Sequence, residues 1–377
     1  MKILHTSDWH LGRVIYGRSL IEDQQYFIER FFLPLLEEER PDAVILAGDI
    51  FDRQIAPVEA LRLFDAFVTE VCGRRHIPVI AVSGNHDGAD RLGLGGALLR
   101  ESGLHITSRL DPYAPPVVLP GKREVHIYTL PYFDPAMARD CLREEELRGF
   151  AAAYSAVLEI LRERLDPAAF NILVAHCFVA GAETSESESP IFIGGSGEVP
   201  GSLFDGFDYV ALGHLHRAQT LGEKIRYSGS PLKYSFDEEH HKKSVTMLEV
   251  GETLSLRQIP VAFLRDMRTL SGGIEELEAA AETDPGREDY ISAELTGLPV
   301  YEPMHRLRQI YPNTLSVRNG SFAADGAREE RAALRGSDPQ TVFAEFMRQM
   351  CGSEAEAADL AVFSAAYDAA SGKGAQV

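Results

Sequence analysis

Metal-ligand residue types occur at five places in the chain, each directly after a short apolar run. They are Asp8-x-His10, Gly48-Asp49-x-x-Asp52, Gly84-Asn85-His86-Asp87, His176 and Gly213-His214-x-His216. Two carboxylates (Asp8, Asp49), one amide oxygen (Asn85) and four imidazoles (His10, His176, His214, His216) make an N/O donor set without thiolate. Such a set suits Mn2+, Fe2+ or Zn2+ better than Mg2+, which prefers oxygen and water. That many donors exceed what one catalytic ion with an open position takes. They fit two ions roughly 3.5–4 Å apart, as in two-metal hydrolases. Asp49, central in sequence and sheet, is the expected bridge. Taken singly, His176 is a core histidine, Asp8 a helix cap and Gly48-Asp49 a turn. Their joint occurrence at five run ends is what points to a dinuclear hydrolase site.

The apolar runs are the elements that must position these groups. Lys2–Ser7, Ala43–Ala47, Pro78–Val82, Asn171–Ala175 and Tyr209–Leu212 are short and near-continuous, as strands buried on both faces are. Helix-like stretches lie between them at Glu22–Glu39, Val58–Val71, Asp90–Glu101 and Glu144–Leu165, so the pattern predicts an α/β sandwich. In open α/β sheets the carboxyl edge of the strands is where ligands bind. Gly48, Gly84 and Gly213 allow sharp turns at that edge. Further strands are predicted at Val125–Leu130, Lys224–Tyr227, Ser244–Val250 and Thr253–Ile259. A second, βαβαβ module follows: Phe263–Thr269, Gly273–Glu282, Tyr290–Leu295, Glu302–Ile310 and Thr314–Val317. From Ser321 the chain is rich in Ala and Glu and reads as helices, with a start at Asp338-Pro339, an apolar stripe of Phe343, Phe346 and Met347, and a frayed Ser371–Val377. The expected domains are 1–262, 263–320 and 321–377.

Composition bounds the function class. A chain of 377 residues, 45% hydrophobic and 25% charged, is neither collagenous, disordered nor a small disulfide scaffold. No apolar run reaches membrane-spanning length, and Met1-Lys2-Ile3-Leu4-His5 leads straight into a strand without a signal segment. Cys72, Cys141, Cys177 and Cys351 form no CxxC pair and are expected to be free thiols in a reducing cytoplasm. The net charge of −20 opposes unaided nucleic-acid binding, which needs a basic footprint. An anionic substrate must then be held by bound cations, a local basic groove or a partner.

The ligand clusters lie in longer blocks: MKILHTSDWHLGR (Met1–Arg13), GDIFDR (Gly48–Arg53), FDGFDYVALGHLHRAQ (Phe204–Gln219) and YSGSPLKYSFD (Tyr227–Asp237). These blocks resemble the calcineurin-like metallophosphoesterase superfamily and, within it, the bacterial SbcD nuclease family. The resemblance also covers Leu264–Val317, and so most of the chain. It implies a four-layer α/β/β/α sandwich with a small α+β capping domain and C-terminal helices. It implies one ion on Asp8, His10, Asp49 and His216, and another on Asp49, Asn85, His176 and His214. It makes His86 the catalytic histidine, with Asp87 orienting its imidazole. Asp52 is a substrate-side helper or a turn carboxylate. The implied activity is Mn2+-dependent, hydroxide-mediated DNA hydrolysis. It comprises 3′–5′ exonuclease action on duplex ends and endonuclease action on single strands and hairpins, in repair, recombination and replication. The implied partners are an SbcC-type ATPase that binds the ATP and a second copy of the chain, forming a homodimer within a heterotetramer. A metallophosphatase or cyclic-nucleotide phosphodiesterase has the same site, and a scaffold with a vestigial site is the non-enzymatic alternative. The second module and the tail argue against the former, the complete donor set with His86 against the latter.

Other features are less specific. Trp9 packs under the site or stacks on a base. Arg13, Arg18 and Arg53 contact phosphates or are solvated. His240-His241-Lys242-Lys243 reads as surface decoration, and Glu183–Ser189 as a solvated, mobile loop. Leu61, Phe64, Phe67, Val68, Leu94, Leu98 and Leu99 either cover the sheet or pair two subunits, as helices of this region do in the family. The Phe343 stripe packs internally or, as the resemblance implies, on the partner's coiled-coil base.

Overall fold

The computed structural model describes residues 1–188, 197–297, 300–319, 338–351 and 355–370. Ser189, the stretch from Ser321 to residue 337 and Ser371–Val377 lie outside them. The chain divides into two compact units, Met1–Leu264 and Arg265–Val377.

The first unit is built on two six-stranded sheets. One runs in the order Leu254–Pro260, Ser244–Val250, Lys2–Thr6, Ala43–Ala47, Val79–Val82, Leu104–Thr107, the last four strands parallel. The other runs Gln219–Leu221, Ile225–Tyr227, Tyr209–Gly213, Phe170–His176, Val125–Leu130, Val117–Leu119, parallel at its centre. Ile3, Ile45, Ile80 and Val82 of the first meet Ile127, Ile172, Val174 and Ala211 of the second in a common core. Helix Gly149–Arg162 turns Phe150, Tyr154, Val157 and Leu161 onto the outer face of the second sheet, against Leu173 and Leu212. Leu4, Val44, Leu46 and Ala81 alternate to the outer face of the first sheet and are fully buried. Buried aromatic faces of the helical segments 21–39 and 58–74 cover that side, giving the α/β/β/α sandwich.

Helix 21–39 contains a π segment, Phe27–Phe32, between Ile21–Tyr26 and Leu33–Glu39. Pro34 has no N–H and crowds the preceding carbonyls, which a widened turn accommodates. In an α-helix, residues five apart point about 140° away from each other. The wider turn brings both Phe27 and Phe32 edge-on to the Trp9 ring, where Phe67 completes the box. Trp9 is thus a packed floor residue, its Nε1 donating to Thr6 Oγ1 at 2.9 Å.

The strands Ala43–Ala47, Val125–Leu130 and Ser244–Val250 have their expected bounds. The expected helix Asp90–Glu101 is broken into Ala89–Leu92 and Gly96–Glu101, because Gly93 and Gly95 intervene and Gly95 adopts φ +71°. Helix Pro135–Leu142 and the short strands Leu104–Thr107, Val117–Leu119 and Gln219–Leu221 carry too few apolar residues to show in the pattern.

In the second unit, parallel strands Met267–Gly272, Tyr290–Leu295 and Thr314–Asn319 pair side by side. Helices Ile274–Ala281 and Pro303–Ile310 bury Ile274, Leu277 and Leu307 against Ala293 and Leu295. The first strand starts at Met267, later than expected. Asp338 caps helix Pro339–Cys351 by accepting the Gln340 and Thr341 amides. Phe343 stacks on Phe363 of helix Ala357–Ala370 at 4.3 Å, so part of the apolar stripe is used within the chain.

A polar contact crosses the inter-sheet core. His5 is fully buried, with Nε2 3.1 Å from Leu212 O and Nδ1 3.0 Å from the Tyr209 hydroxyl. Nε2–H therefore donates to the carbonyl and Nδ1 accepts from Tyr209. Burial, then the nearby Arg226, push this imidazole down to about 3. The unfolded chain takes up a proton here below its ordinary value of 6.5, and the folded chain does not. Stability therefore falls as pH drops from 6.5 towards 3, by about 1.4 kcal/mol per unit through this group. Urea unfolding at pH 4, 5, 6 and 7 is expected to show a slope smaller by one proton in His5→Gln than in the parent. Equal slopes would exclude His5 as a source.

Candidate metal centre

The five ligand clusters meet at the carboxyl edges of both sheets. Asp8, His10, Asp49, Asn85 and His86 follow parallel strands of the first sheet; His176, His214 and His216 end or follow the two central strands of the second. The loops are joined by a continued ladder: Asp8 N–H donates to Gly48 O, His10 N–H to Asp49 O and Leu11 N–H to Ile50 O, at 2.9–3.0 Å. Gln24 pins the same loop from its helix, its side chain bonding Trp9 O, His10 O and Gly12 N–H. The Tyr234 hydroxyl also donates to Trp9 O.

This convergence requires unusual backbone. Asp8, His10, Asp49 and His214 all have positive φ (53°, 44°, 48° and 104°), a region L-residues seldom occupy. Such strain persists only where surrounding bonds over-determine it. Two glycines are fixed by close approach. A Cβ on Gly84 would lie 2.1 Å from Asp49 Oδ1, and one on Gly213 1.9 Å from Ala47 O.

The donor atoms face one another at close range. His10 Nε2 is 3.1 Å from His216 Nε2 and 3.6 Å from Asp49 Oδ2. Asn85 Oδ1 is 3.0 Å from His176 Nε2 and 3.1 Å from His214 Nδ1, and His176 Nε2 is 3.4 Å from Asp49 Oδ2. Bonds of roughly 2.1 Å to one ion place neighbouring donors about 3.0 Å apart in octahedral and about 3.4 Å apart in tetrahedral geometry. Asp49 Oδ2 borders both sets, while its Oδ1 accepts the His86 amide at 2.9 Å. His176 Nδ1–H donates to Ala47 O at 2.9 Å, which turns Nε2 towards Asn85 and Asp49. Asp8 Oδ1 accepts the His214 amide, and its buried Oδ2 has no hydrogen-bond partner. Ligand atoms of Asp8, His10 and His216, and of Asp8, Asp49 and His176, lie within 4.8 Å of one another. The donor set thus fits cations.

Electrostatics agree. Burial pushes the Asp8 carboxyl up to about 8, and the Asp49 carboxylate adds to this. Despite burial, His176 and His10 hold Asp49 well below the usual carboxylate range, and Asp49 lifts His176 to about 9. Burial, then His176, push His214 down to about 3. Burial lowers His10 and His216 as well.

The remaining expected site residues divide. His86 lies half-buried at the rim, its ring within 4.8 Å of the His10 and Asp49 donors. Asp87 does not orient the His86 ring. Its carboxylate is taken up by the Ile50, Phe51 and Gly84 amides at 2.9–3.2 Å, so it clamps the loops carrying Asp49 and Asn85. His86 Nδ1 instead meets the Asp52 main-chain O at 2.9 Å. The Asp52 carboxylate accepts from Arg13 at 2.9 Å and stands 3.6 Å from His10 Nδ1. Arg13 also bonds Ser187 O and covers the Tyr234 ring, whereas Arg53 stays exposed.

Two further expectations are overturned. Lys243 is not surface decoration: it is 3% exposed and ion-paired with fully buried Glu238. The acidic serine loop is not simply solvated, since Glu188 accepts the His216 amide at 2.6 Å and Ser187 Oγ sits 2.6 Å from His216 Nδ1. Gln24, Tyr234 and Glu238 escape the sequence pattern because none follows an apolar run at a ligand spacing. The Tyr227–Asp237 block, adjoining Glu238, was the available signal.

Comparison with known proteins agrees with this geometry. The calcineurin-like phosphoesterase family matches residues 1–218, and the family described as type 5 capsule protein repressor C-terminal domain matches residues 264–350. The chain is 32% identical to the SbcD subunit of the SbcCD nuclease from Staphylococcus epidermidis over 354 residues, 93% of either chain. With the phosphoesterase match spanning the converged ligand clusters, the chain belongs to the calcineurin-like phosphoesterase family of divalent-metal hydrolases, in its SbcD branch.

Proposed function

We propose that this chain is the nuclease component of an SbcCD-type complex and hydrolyses DNA phosphodiester bonds. The observation that carries the reading is the donor spacing of 3.0–3.6 Å around a shared Asp49. Asp8, His10, Asp49 and His216 would hold one ion; Asp49, Asn85, His176 and His214 would hold the other. The N/O donor set suits Mn2+, Fe2+ or Zn2+, and Mn2+ is the ion assigned here on the likeness to the SbcD family. When bound, the pair lowers the pKa of water and neutralises charge developing on the phosphodiester oxygens.

The chain's own residues do the rest. His86, with Nδ1–H on Asp52 O, has Nε2 to carry the proton that the leaving 3′-oxygen needs. Asp52 holds Arg13 at the rim beside His10, and Asp87 fixes the loop backbones. The activity is 3′–5′ exonuclease on duplex ends and endonuclease on single strands and hairpins. With −20 net charge, the chain leaves much of the phosphate grip, and the ATP, to the SbcC-type ATPase. Leu61, Leu94 and Leu98, 49%, 80% and 75% exposed, suit pairing of two copies within a heterotetramer. Residues 265–319 act as the capping domain, and the helices after Asp338 bind the ATPase. No helix among the described residues is long and apolar enough to cross a membrane, and Cys72, Cys141 and Cys177 are free thiols; both suit the cytoplasm.

Three outcomes are expected. Mn2+-dependent cleavage of a linear duplex should be stimulated by the ATPase and salt-sensitive binding weaker without it; equally tight binding by the isolated chain would contradict the division of labour. His86→Gln should lose 10²–10⁴-fold in cleavage while retaining its ions. Full activity would remove His86 from its role, and hydrolysis of bis-p-nitrophenyl phosphate without DNA cleavage would favour the small-phosphodiester reading. At pH 7 the ion-free site holds protons on Asp8 (about 8) and His176 (about 9). Mn2+ must displace them, so affinity rises with pH towards 9. Calorimetry in buffers of different ionisation enthalpy should show release of one to two protons, about the number these groups hold; none would contradict the assignment.

A further inference from the structure

His216 is held from three sides by groups that no part of the proposed reaction uses. Its Nε2 faces His10 across 3.1 Å, which turns Nδ1 away from the ligand cluster. There Nδ1 meets Ser187 Oγ at 2.6 Å, and Ser187 Oγ–H in turn donates to Glu238 Oε1. Glu238 Oε1 itself lies 3.4 Å from Nδ1 and accepts the Tyr234 amide at 3.3 Å. The other carboxylate oxygen accepts from Lys243 Nζ, whose remaining bonds go to Ser230 Oγ and to His216 O, both at 2.8 Å. Glu188 holds the His216 amide. Glu238 and Lys243 are 0% and 3% exposed.

A buried carboxylate is tolerated only when paired and hydrogen-bonded, and Lys243 meets that need without adding net charge beside a cation site. The directions of donation then fix the ring. Ser187 gives its proton to Glu238, so its oxygen can only accept from Nδ1–H, and the lone pair of His216 is confined to Nε2. Groups behind a ligating imidazole set its tautomer and orientation in this way.

We propose that Ser187, Glu238 and Lys243 form a positioning relay that presents His216 Nε2 to its ion, making the 183–188 loop part of the metal centre. The proposal rests on the reading of His216 as a ligand. None of the three is a catalytic residue, since each acts through His216.

The test is Mn2+ binding to the full-length chain, by calorimetry and by electron paramagnetic resonance of bound Mn2+, alongside thermal unfolding in EDTA. Ser187→Ala is expected to unfold at nearly the parental temperature yet bind one of its two ions 10–100-fold more weakly. Glu238→Gln alone strands Lys243 and should lower the unfolding temperature. Adding Lys243→Met should restore that temperature without restoring ion affinity. Parental affinity for both ions in Ser187→Ala and in the double variant would overturn the relay while leaving the ligand reading intact. Unchanged binding in His216→Ala would overturn both.

Discussion

Removal of carboxylates and imidazoles from water, packed against one another, is the constraint on which this structure depends. Asp8, His10, Asp49, His176 and His216 are each at most 2% exposed, and their donor atoms point at one another. Isolated buried charge is among the most expensive arrangements a protein can contain. Here the cost is met in part within the cluster: burial raises the Asp8 carboxyl, while His176 and His10 hold Asp49 well below the usual carboxylate range. Folding and chemistry are thereby opposed: the apolar sandwich must be stable enough to keep these groups together before any ion arrives.

The means of keeping them together is backbone rather than side-chain packing. The ladder of the first sheet continues past the strand ends, and Asp87, Gln24 and Tyr234 spend their polar atoms on main-chain N–H and C=O groups of the ligand loops. These bonds hold four candidate ligand residues at positive φ. The Trp9 box below, made possible by a π turn ahead of Pro34, gives the loop an incompressible floor. Strain at the ligands is therefore set against ordinary hydrophobic burial a few ångströms away.

A strongly acidic chain that acts on a polyanion is electrostatically consistent only if positive charge is local. Two basic side chains at the centre do not supply it: Arg13 is neutralised by Asp52 and Lys243 by Glu238. Bound cations and a partner are two sources of positive charge consistent with that balance.

The sequence by itself determined the strands, the side of the sheets on which they deliver ligands, the donor chemistry and the family. Each of these depends on local pattern: buried parallel strands must be apolar throughout, and their ligands must follow at the carboxyl end. Tertiary structure alone decided which polar groups serve the ligands. Asp87 lies next to His86 in sequence yet bonds amides of the Asp49 loop, 36 and 37 residues away. Lys243 closes a dehydrated ion pair that a run of basic residues gives no hint of. Ser187, in a stretch whose composition predicts solvation, reaches His216 across 29 residues. Whether such a side chain is solvated or buried depends on what the distant chain places opposite it, and neither composition nor periodicity encodes that distance.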